Sequence, residues 1–464
     1  STGKNLGYGG AAPSLTGSVV LDLKRMNRVL EVDERQGSCL VEPGVSYFDM
    51  YRHLQSMGSK LWIDCPDPGW GSMIGNALDH GVGYTMAQLR NHFGAQCGME
   101  VVLPNGELLR TGMGALPGAK TWQQYKGGYG PWIDGVFSQS NFGIVTKMGF
   151  WLMRQPEAFL KGSVFVPGLR DIIPLVDVVT ELENTRIVTG IPDFMSPLMA
   201  SPSLAELDQT MEHGPKLSPQ HLAMLQSGAP LEQMEKFGRE NGIASWGCHL
   251  NFYGPEKVIR AQWEHAQEQL RQAIPGAVLK EYAFHKLPLD ENQREQVRLA
   301  EFGIPSLRAF SVGARSPWNP DPGIGHMAFS PIIPRTGEAV LEAMQVMSEA
   351  ARKLGVRMIN AVAPYAMYER ALVFIAVFQI SNDAADNRKM RAAFRELIKI
   401  GAKHGWGEYR TPVAFQDDVM ATFSFNNHAL RRFHETVKDA LDPNGILSPG
   451  RYGIWPKRLR KVKP

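Results

Sequence analysis

The chain opens with the glycine-rich stretch Ser1-Thr2-Gly3-Lys4-Asn5-Leu6-Gly7-Tyr8-Gly9-Gly10. Backbone N–H groups approach phosphate oxygens closely only where no side chains intervene, and glycine permits the positive φ angles of an anion-binding loop. The stretch lacks the P-loop pattern, and no GxGxxG motif follows a strand and opens a helix, so neither a P-loop nor a Rossmann fold is indicated. Taken alone, it fits either a phosphate-binding loop or an ordinary glycine-rich turn. Such loops need a preceding strand or helix, so we expect an N-terminally incomplete copy of a longer protein.

Length and composition predict a folded protein of two intertwined domains, because 464 residues exceed what one hydrophobic core serves. The net charge of +3 lies largely in the last ten residues, without interleaved aromatic residues, so no nucleic-acid partner is predicted. The longest apolar stretch, residues 371–380, is about half of a membrane span and is more typical of a buried strand. With no secretory signal and four scattered cysteines, we predict a soluble cytoplasmic protein with no membrane partner.

The pattern of predicted elements divides the chain into three segments. Residues 1–160 predict an α+β domain with antiparallel strands, one of them at 18–23. Residues 161–406 alternate helices with strands, one of them at 372–380, and predict a second α+β domain with helices packed on a sheet. Residues 407–464 end in turn-forming sequence and are predicted to return to the first domain. The clearest single elements are a hairpin turn at Asn105-Gly106 and helices at 256–273 and 337–354.

Four polar residues are candidates for chemistry, each with an ordinary structural alternative. Asp67, in a glycine- and proline-rich loop, is either a turn residue or an acid/base group beside a cofactor. His326 opens a strand and is a structural histidine or a cofactor contact, but no HExxH spacing predicts a metal site. Tyr409 and Arg410, which follow Glu408, form either a surface stack or a site for an anion or phenolate.

Ten segments, in this order, resemble the vanillyl-alcohol oxidase family, which includes the flavoprotein subunit of p-cresol methylhydroxylase. The most specific motifs are Gly143-Ile-Val-Thr-Lys147 and Asp442-Pro-Asn-Gly-Ile446. The resemblance covers nearly the whole chain and is weak from about residue 155 to 300. The segments are 1–13, 40–44, 67–76, 81–85, 97–103, 110–117, 129–147, 325–331, 407–411 and 442–453.

The resemblance implies an α+β, two-domain FAD-binding fold of the vanillyl-alcohol oxidase type. Its FAD domain is discontinuous, formed by residues 1–160 and 407–464, and residues 161–406 form an α+β cap over the flavin. The cofactor is FAD, and His326 matches the histidine bonded covalently to the flavin 8α-methyl group. Further positions that match flavin-contacting residues are Ser1, Thr2, Gly3, Lys4, Asn5, Gly7, Tyr8, Pro66, Asp67, Ser72, Gly75, Asn76, Gly143, Ile144, Val145 and Arg451.

The resemblance also implies the reaction. Tyr8, Tyr409 and Arg410 match the residues that hold a phenolic substrate as phenolate, Asp67 matches an aspartate near flavin N5, and Tyr84 matches a nearby active-site tyrosine. Ionisation of the phenol makes hydride removal at the para carbon easier, because the product is a neutral quinone methide. The expected substrates are 4-alkylphenols, 4-hydroxybenzylic alcohols such as vanillyl alcohol and 4-allylphenols such as eugenol. The expected acceptor is O₂, with release of H₂O₂, in a homodimer or higher homo-oligomer.

Two alternatives to an oxidase stay open. One is a dehydrogenase of the same family that passes electrons to a cytochrome, although His326 and Asp67 favour the oxidase branch. The other is a truncated, non-catalytic remnant, because family members carry an additional segment before the equivalent of Ser1. Residues 86–92 and 311–322 depart from the family pattern, which leaves substrate size and cap geometry open.

Overall fold

The computed structural model consists mainly of antiparallel sheets with helices packed against them. None of the helices in the part of the chain that it describes is both long and apolar enough to cross a bilayer. The described residues are 13–66, 68–199, 218–227, 229–307, 324–356, 358–360 and 364–461.

The N-terminal region, with elements from Val29 to Arg154, is built on a five-stranded antiparallel sheet of order β1-β2-β6-β4-β5 and a separate β3–β7 pair. Its helices are α1 (Tyr47–Ser56), α2 (Met73–Leu78) and α3 (His92–Ala95). Its strands are β1 (Val29–Asp33), β2 (Ser38–Val41), β3 (Leu61–Trp62), β4 (Gln96–Val102), β5 (Leu108–Arg110), β6 (Ile144–Trp151) and β7 (Met153–Arg154).

The predicted hairpin is confirmed, and one predicted strand of this region is wrong. Strands β4 and β5 pair antiparallel around Asn105-Gly106, where Gly106 has a φ of +86°. Residues 18–23 form no strand, and Val19 is 95% exposed. A run of β-branched residues forms a strand only beside a partner strand, and none pairs with it in the described part of the chain.

The central region, with elements from Ala158 to Lys403, contains a seven-stranded sheet of order β11-β8-β10-β9-β15-β16-β13 and a three-stranded sheet of order β12-β17-β14. Its strands are β8 (Ala158–Val166), β9 (Asp193–Met195), β10 (Trp246–Gly254), β11 (Val278–Lys286), β12 (Ile324–Phe329), β13 (Ile332–Pro334), β14 (Met358–Asn360), β15 (Pro364–Tyr365), β16 (Ala371–Phe374) and β17 (Ala376–Ser381). Its helices are α4 (Ile172–Asn184), α5 (Pro219–Ser227), α6 (Leu231–Asn241), α7 (Glu256–Ala273), α8 (Glu291–Gln296), α9 (Gly337–Leu354) and α10 (Ala384–Lys403).

The single strand predicted at 372–380 is wrong, because the chain changes sheets there. Strand β16 ends at Phe374 and belongs to the seven-stranded sheet, whereas β17 begins at Ala376 and belongs to the three-stranded sheet. Both halves are apolar because both are buried, so the sequence pattern carries no sign of the break. Because β16 and β17 are consecutive, the three-stranded sheet, which carries His326, is joined directly to the seven-stranded sheet, one face of which covers the N-terminal region.

One face of the seven-stranded sheet packs against helices, and the other faces the N-terminal region. Leu160 and Leu250 point to the helical side and join the main core. Val373 points to the opposite side and packs with Val82 of the N-terminal region and Tyr409. The alternation of side chains along a strand therefore separates the structural core from the interface between regions.

A buried charge cluster joins the N-terminal and central regions. Glu183, at the end of α4, is bound by two guanidinium groups: Arg90 Nη1 lies 2.5 Å from its Oε1 and Arg335 Nη2 lies 2.6 Å from its Oε2. All three side chains are at most 4% exposed. Arg90 belongs to segment 86–92, which leads from Tyr84 to α3. This segment is therefore an anchor between the two regions.

The C-terminal region, residues 407–461, contains α11 (Gln416–Thr422) and α12 (Phe425–Leu441) and returns to the N-terminal region. Lys438 and Asp442 form a fully buried ion pair at 2.8 Å. Lys438 Nζ also donates to the backbone oxygen of Asn141, at 2.7 Å. Asp442 accepts the backbone N–H groups of Ile446 and Leu447. The Asp442-Pro-Asn-Gly-Ile446 motif is thus a turn that, through Lys438, attaches the C-terminal region to the chain just before β6.

Candidate active site

The predicted site residues fall into three groups in the structure. Tyr409 and Arg410 lie together in one pocket, whereas Tyr84 is outside its lining. His326 lies on β12 and Asn76 lies on α2. The following candidates lie outside the described residues: Ser1, Thr2, Gly3, Lys4, Asn5, Gly7, Tyr8 and Asp67.

The pocket has a volume of about 420 Å³ and lies between the N-terminal and C-terminal regions. This volume is within the range of roughly 300–1,000 Å³ that is usual for small-molecule sites. Helices α11 and α12 and the link between them supply an apolar wall that includes Phe423 of the link and Phe433 of α12. Polar residues also line the pocket, and they include Gln139, Glu408, Tyr409 and Arg410. An apolar wall with a few polar groups suits a planar aromatic ligand.

Backbone pairing to the chain after β12 positions Tyr409 and Arg410. Tyr409 N–H donates to the oxygen of Ser330 at 3.4 Å, and Gln139 Nε2 donates to the oxygen of Tyr409 at 2.7 Å. The guanidinium carbon of Arg410 lies 5.2 Å from the centre of the Tyr409 ring, which is within cation–π range. A phenol hydroxyl and a permanent cation therefore share one wall of the pocket.

Glu408 is a buried carboxyl group in the pocket that the sequence-based reasoning did not assign to the site. The backbone N–H of Ser330 donates to its Oε1 at 3.3 Å, and its Oε2 has no hydrogen-bond partner of ordinary geometry among the described residues. Burial raises the pKa of Glu408 well above its usual value, and the nearby Ser330 N–H and Thr411 side chain offset this only in part. Burial therefore favours the protonated form of Glu408. Its position beside Tyr409 and Arg410 was the only signal in the sequence.

The raised pKa of Glu408 predicts a pH-dependent stability. The folded protein keeps a proton that the unfolded chain releases above its usual pKa of 4.5, so the free energy of unfolding falls as pH rises. We expect Glu408→Gln to remove this dependence of the free energy of unfolding on pH. In the wild type the free energy is expected to fall by as much as about 1.4 kcal/mol for each unit that the pH rises. Urea unfolding at pH 4, 6 and 8 measures it. Exposed Glu396, as Glu396→Gln, is the control, and a Glu408→Gln profile parallel to that of the wild type would contradict the prediction.

His326 lies on β12, partly buried, and pairs with Gln379 of β17. The chain that follows β12 pairs with residues 407–409: Ile332 N–H donates to the oxygen of Gly407 at 2.8 Å, and Pro331 forms a bridge with Glu408. The strand of His326 therefore leads directly to the segment that carries Tyr409 and Arg410.

Ser72, Gly75 and Asn76 lie at the start of α2. Ser72 caps this helix, because its Oγ accepts the N–H of Gly75 at 3.1 Å and donates to the oxygen of Pro43 at 2.7 Å. Asn76 Nδ2 is directed inward to the ring of His92. Pro66, in the loop after β3, is buried. The capping role explains Ser72 without a ligand, whereas Asn76 is partly exposed.

Tyr84 contacts the central region. The guanidinium carbon of Arg298 lies 4.2 Å from the centre of its ring, and Arg298 Nη1 is 3.6 Å from Asp193 Oδ2. Burial raises the pKa of Asp193, more than Arg298 lowers it. The Tyr84 ring is thus packed beneath a cation, away from the pocket of Tyr409.

Gly143, Ile144 and Val145 belong to the start of β6 and its approach. Ile144 and Val145 pair with β4, and a Cβ atom at Gly143 would lie 2.5 Å from a methyl group of Val101. Close packing therefore requires glycine at 143. Arg451 lies in a short 3₁₀ turn, with its guanidinium carbon 5.0 Å from the ring of Tyr452, which lines the pocket.

The pocket residues fit a flavin ring. Glu408 Oε2, Thr411 Oγ1 and Gln416 Nε2 are buried polar atoms of the pocket. The side chains of Glu408 and Thr411 interact with each other outside ordinary hydrogen-bond geometry, and Gln416 Nε2 has no hydrogen-bond partner among the described residues. Buried polar groups are normally satisfied, so such atoms are typical of a site completed by a polar ligand. A flavin ring has a polar edge for these atoms and flat apolar faces for the wall of α11 and α12.

Comparisons with known proteins show which family the chain belongs to. A sequence profile of an FAD binding domain matches residues 1–112. The 4-cresol dehydrogenase (hydroxylating) flavoprotein subunit of Pseudomonas putida is 33% identical over 98% of this chain and 82% of its own length. The solved structure of 4-ethylphenol oxidase from Gulosibacter chungangensis, with isoeugenol, has a TM-score of 0.80 at 35% identity and covers 99% of this chain and 84% of that one. Substrate-bound p-cresol methylhydroxylase has a TM-score of 0.80 at 30% identity, over 98% and 83% of the two chains.

Proposed function

Because the chain belongs to the vanillyl-alcohol oxidase and p-cresol methylhydroxylase family of FAD-dependent oxidoreductases, we propose that it removes hydride from the carbon para to the hydroxyl group of phenols. The substrates are 4-alkylphenols, 4-hydroxybenzylic alcohols such as vanillyl alcohol and 4-allylphenols such as eugenol. The observation that supports this most directly is the placement of Tyr409 and Arg410 on one wall of an aromatic-sized pocket.

Arg410 and Tyr409 prepare the substrate in this proposal. A guanidinium group and a tyrosine hydroxyl beside the substrate oxygen lower the pKa of the phenol and stabilise the phenolate. Tyr8 supplies a second hydroxyl to the same oxygen. The ionised oxygen then pushes electron density to the para carbon, so that hydride departs and a neutral quinone methide remains. FAD, when bound, supplies the hydride acceptor.

Asp67 acts at the reacting carbon in this proposal. It stabilises positive charge that develops there and guides a proton from water when the product is a hydroxylated side chain. Tyr84, whose ring lies beneath Arg298, is a nearby tyrosine of the active site rather than a residue of the pocket wall. The carrier of the covalent flavin link is His326, and the other FAD contacts are Ser1, Thr2, Gly3, Lys4, Asn5, Gly7, Pro66, Ser72, Gly75, Asn76, Gly143, Ile144, Val145 and Arg451.

For the electron acceptor we propose O₂, with release of H₂O₂. One relative is named an oxidase and another is a dehydrogenase flavoprotein subunit, so transfer to a cytochrome is the alternative. Histidine at position 326 favours the oxidase. Peroxide formed at the rate of phenol consumption in air supports the oxidase, whereas phenol oxidation only with cytochrome or dye supports the alternative. We further propose that the protein is a homodimer or higher homo-oligomer.

The visible spectrum of the purified protein, before and after acid precipitation, tests the cofactor proposal. We expect the yellow colour to stay with the precipitate, and we expect His326→Ala to release it, because that variant lacks the nucleophilic ring nitrogen. His404→Ala is the control, since His404 is paired with Glu342 away from the site. Colour released from the wild type would contradict the covalent link, and a colourless protein would contradict FAD binding.

A further inference from the structure

A buried aspartate–histidine pair lies behind α2 in the N-terminal region, outside the residues assigned to the reaction. His92 Nε2 lies 3.0 Å from Asp64 Oδ2, and both side chains are 4% exposed. The backbone N–H of Thr85 donates to Asp64 Oδ1 at 2.9 Å, and the Thr85 hydroxyl donates to the same oxygen. The carboxylate is therefore held by three donors, and the ring of His92 cannot rotate without losing one of them.

The other nitrogen of His92 faces Asn76. Nδ1 lies 2.6 Å from Asn76 Nδ2 and 2.9 Å from the hydroxyl of Tyr47, and Asn76 Nδ2 lies 3.1 Å from that hydroxyl. Because Nε2 donates its hydrogen to Asp64, a neutral ring has an accepting lone pair on Nδ1. An acceptor at Nδ1 requires the amide nitrogen of Asn76, rather than its oxygen, to point inward.

Two glycines make room for this arrangement. A Cβ atom at Gly81 would lie 1.9 Å from Asn76 Oδ1, and a Cβ atom at Gly83 would lie 2.0 Å from Asp64 Oδ2. Neither glycine has a positive φ, so the requirement is space rather than backbone conformation. The Gly81-Val-Gly83 motif, which precedes Tyr84, therefore packs directly against both ends of the network.

We propose that His92, held by Asp64, is a positioning residue that fixes the amide of Asn76 with its nitrogen inward and its oxygen as the acceptor offered to the cofactor. This inference rests on the proposed function, in which Asn76 contacts FAD. The same network connects α3 to three segments that carry or flank proposed site residues: the chain before Asp67, the start of α2 and the chain around Tyr84. It thus acts on the cofactor through other residues, as an outer layer of hydrogen bonds does around a ligand.

Two variants of His92 separate its two hydrogen bonds. The side-chain oxygen of asparagine occupies the place of Nδ1, so His92→Asn keeps the acceptor for Asn76. The amide nitrogen of glutamine reaches the place of Nε2, so His92→Gln keeps the donor for Asp64 and loses the acceptor. We expect FAD affinity close to that of the wild type for His92→Asn, and a loss of about tenfold to a hundredfold for His92→Gln, as for a misplaced binding group.

Free FAD is titrated into His326→Ala versions of each protein, in which the flavin is exchangeable, and flavin fluorescence is measured. The control is His249→Gln, which removes an equally buried imidazole from β10; it is expected to lower stability and leave FAD affinity unchanged. Equal affinities of His92→Gln and His92→Asn would overturn the proposal. If the single variant His326→Ala, in which His92 is unchanged, binds no FAD, the proposed function fails instead.

The tautomer of His92 gives a second test that needs no variant to fold. Nitrogen-15 NMR of labelled wild-type protein is expected to show the hydrogen of the His92 ring on Nε2, with Nδ1 accepting hydrogen bonds. A ring protonated at Nδ1 would require the amide oxygen of Asn76 to point inward, and it would overturn the proposal directly.

Discussion

Replacement of Arg410 by methionine is expected to lower the rate of flavin reduction by a phenol about a hundredfold to a thousandfold. Methionine keeps much of the apolar volume of the arginine side chain. It removes the guanidinium group, which is positively charged at every relevant pH. Loss of one preorganised charge-stabilising group from a water-excluded site has effects of this size. The rate is measured by anaerobic stopped-flow spectroscopy with 4-ethylphenol.

Arg410→Lys and Arg388→Met are the matched controls. Lysine keeps the charge without the planar fork, so we expect its rate to lie between those of Arg410→Met and the wild type. Arg388 is exposed on α10, and its replacement is expected to change nothing. A reduction rate for Arg410→Met equal to that of the wild type, at saturating phenol, would rule out the phenolate role.

Replacement of Glu183 by glutamine is expected to lower the free energy of unfolding by about 3–5 kcal/mol, the usual cost of removing one partner from a buried ion pair. Glutamine is nearly isosteric, so packing is kept. The guanidinium groups of Arg90 and Arg335 would then be buried together without a compensating charge. Urea denaturation followed by circular dichroism measures the change.

Glu369→Gln is the control for this prediction, because its carboxylate is 53% exposed and 3.7 Å from Arg186. Exposed pairs contribute roughly 0–1 kcal/mol, so a small change is expected. Equal, small effects of Glu183→Gln and Glu369→Gln would mean that the cluster does not anchor the two regions.

Local patterns predicted local structure well. The helices Glu256–Ala273 and Gly337–Leu354 were predicted at both ends, because each has apolar residues at helical spacing. Asn105-Gly106 marked its hairpin, because few dipeptides accept the turn's backbone angles. The errors at 18–23 and 372–380 have one cause. Whether an apolar run pairs, and with which sheet, depends on strands far away in the sequence.

The site was predictable only in part, for the same reason. Tyr409 and Arg410, which line the pocket, were named by resemblance, but the raised pKa of Glu408 depends on burial that no pattern of neighbours reveals. The Asp64–His92 pair joins residues 28 positions apart without a recurring spacing. The closely spaced glycines Gly81 and Gly83 were the only sign of this pair in the sequence. The structure shows that neither has a positive φ, so each is needed because a side chain of the network packs against its backbone.

The bonds that close the pocket have a consequence for how the protein folds. Gln139 bonds to Tyr409, 270 positions later, and Asn141 bonds to Ile454, 313 positions later. Contacts of such sequence separation form slowly, because the loop entropy is lost before the contact energy is gained. On a ribosome, the five-stranded sheet emerges long before the helices that complete it. The nascent chain therefore exposes an unfinished apolar surface for most of its synthesis, and chaperone binding at that stage should govern its yield more than the stability of the finished fold.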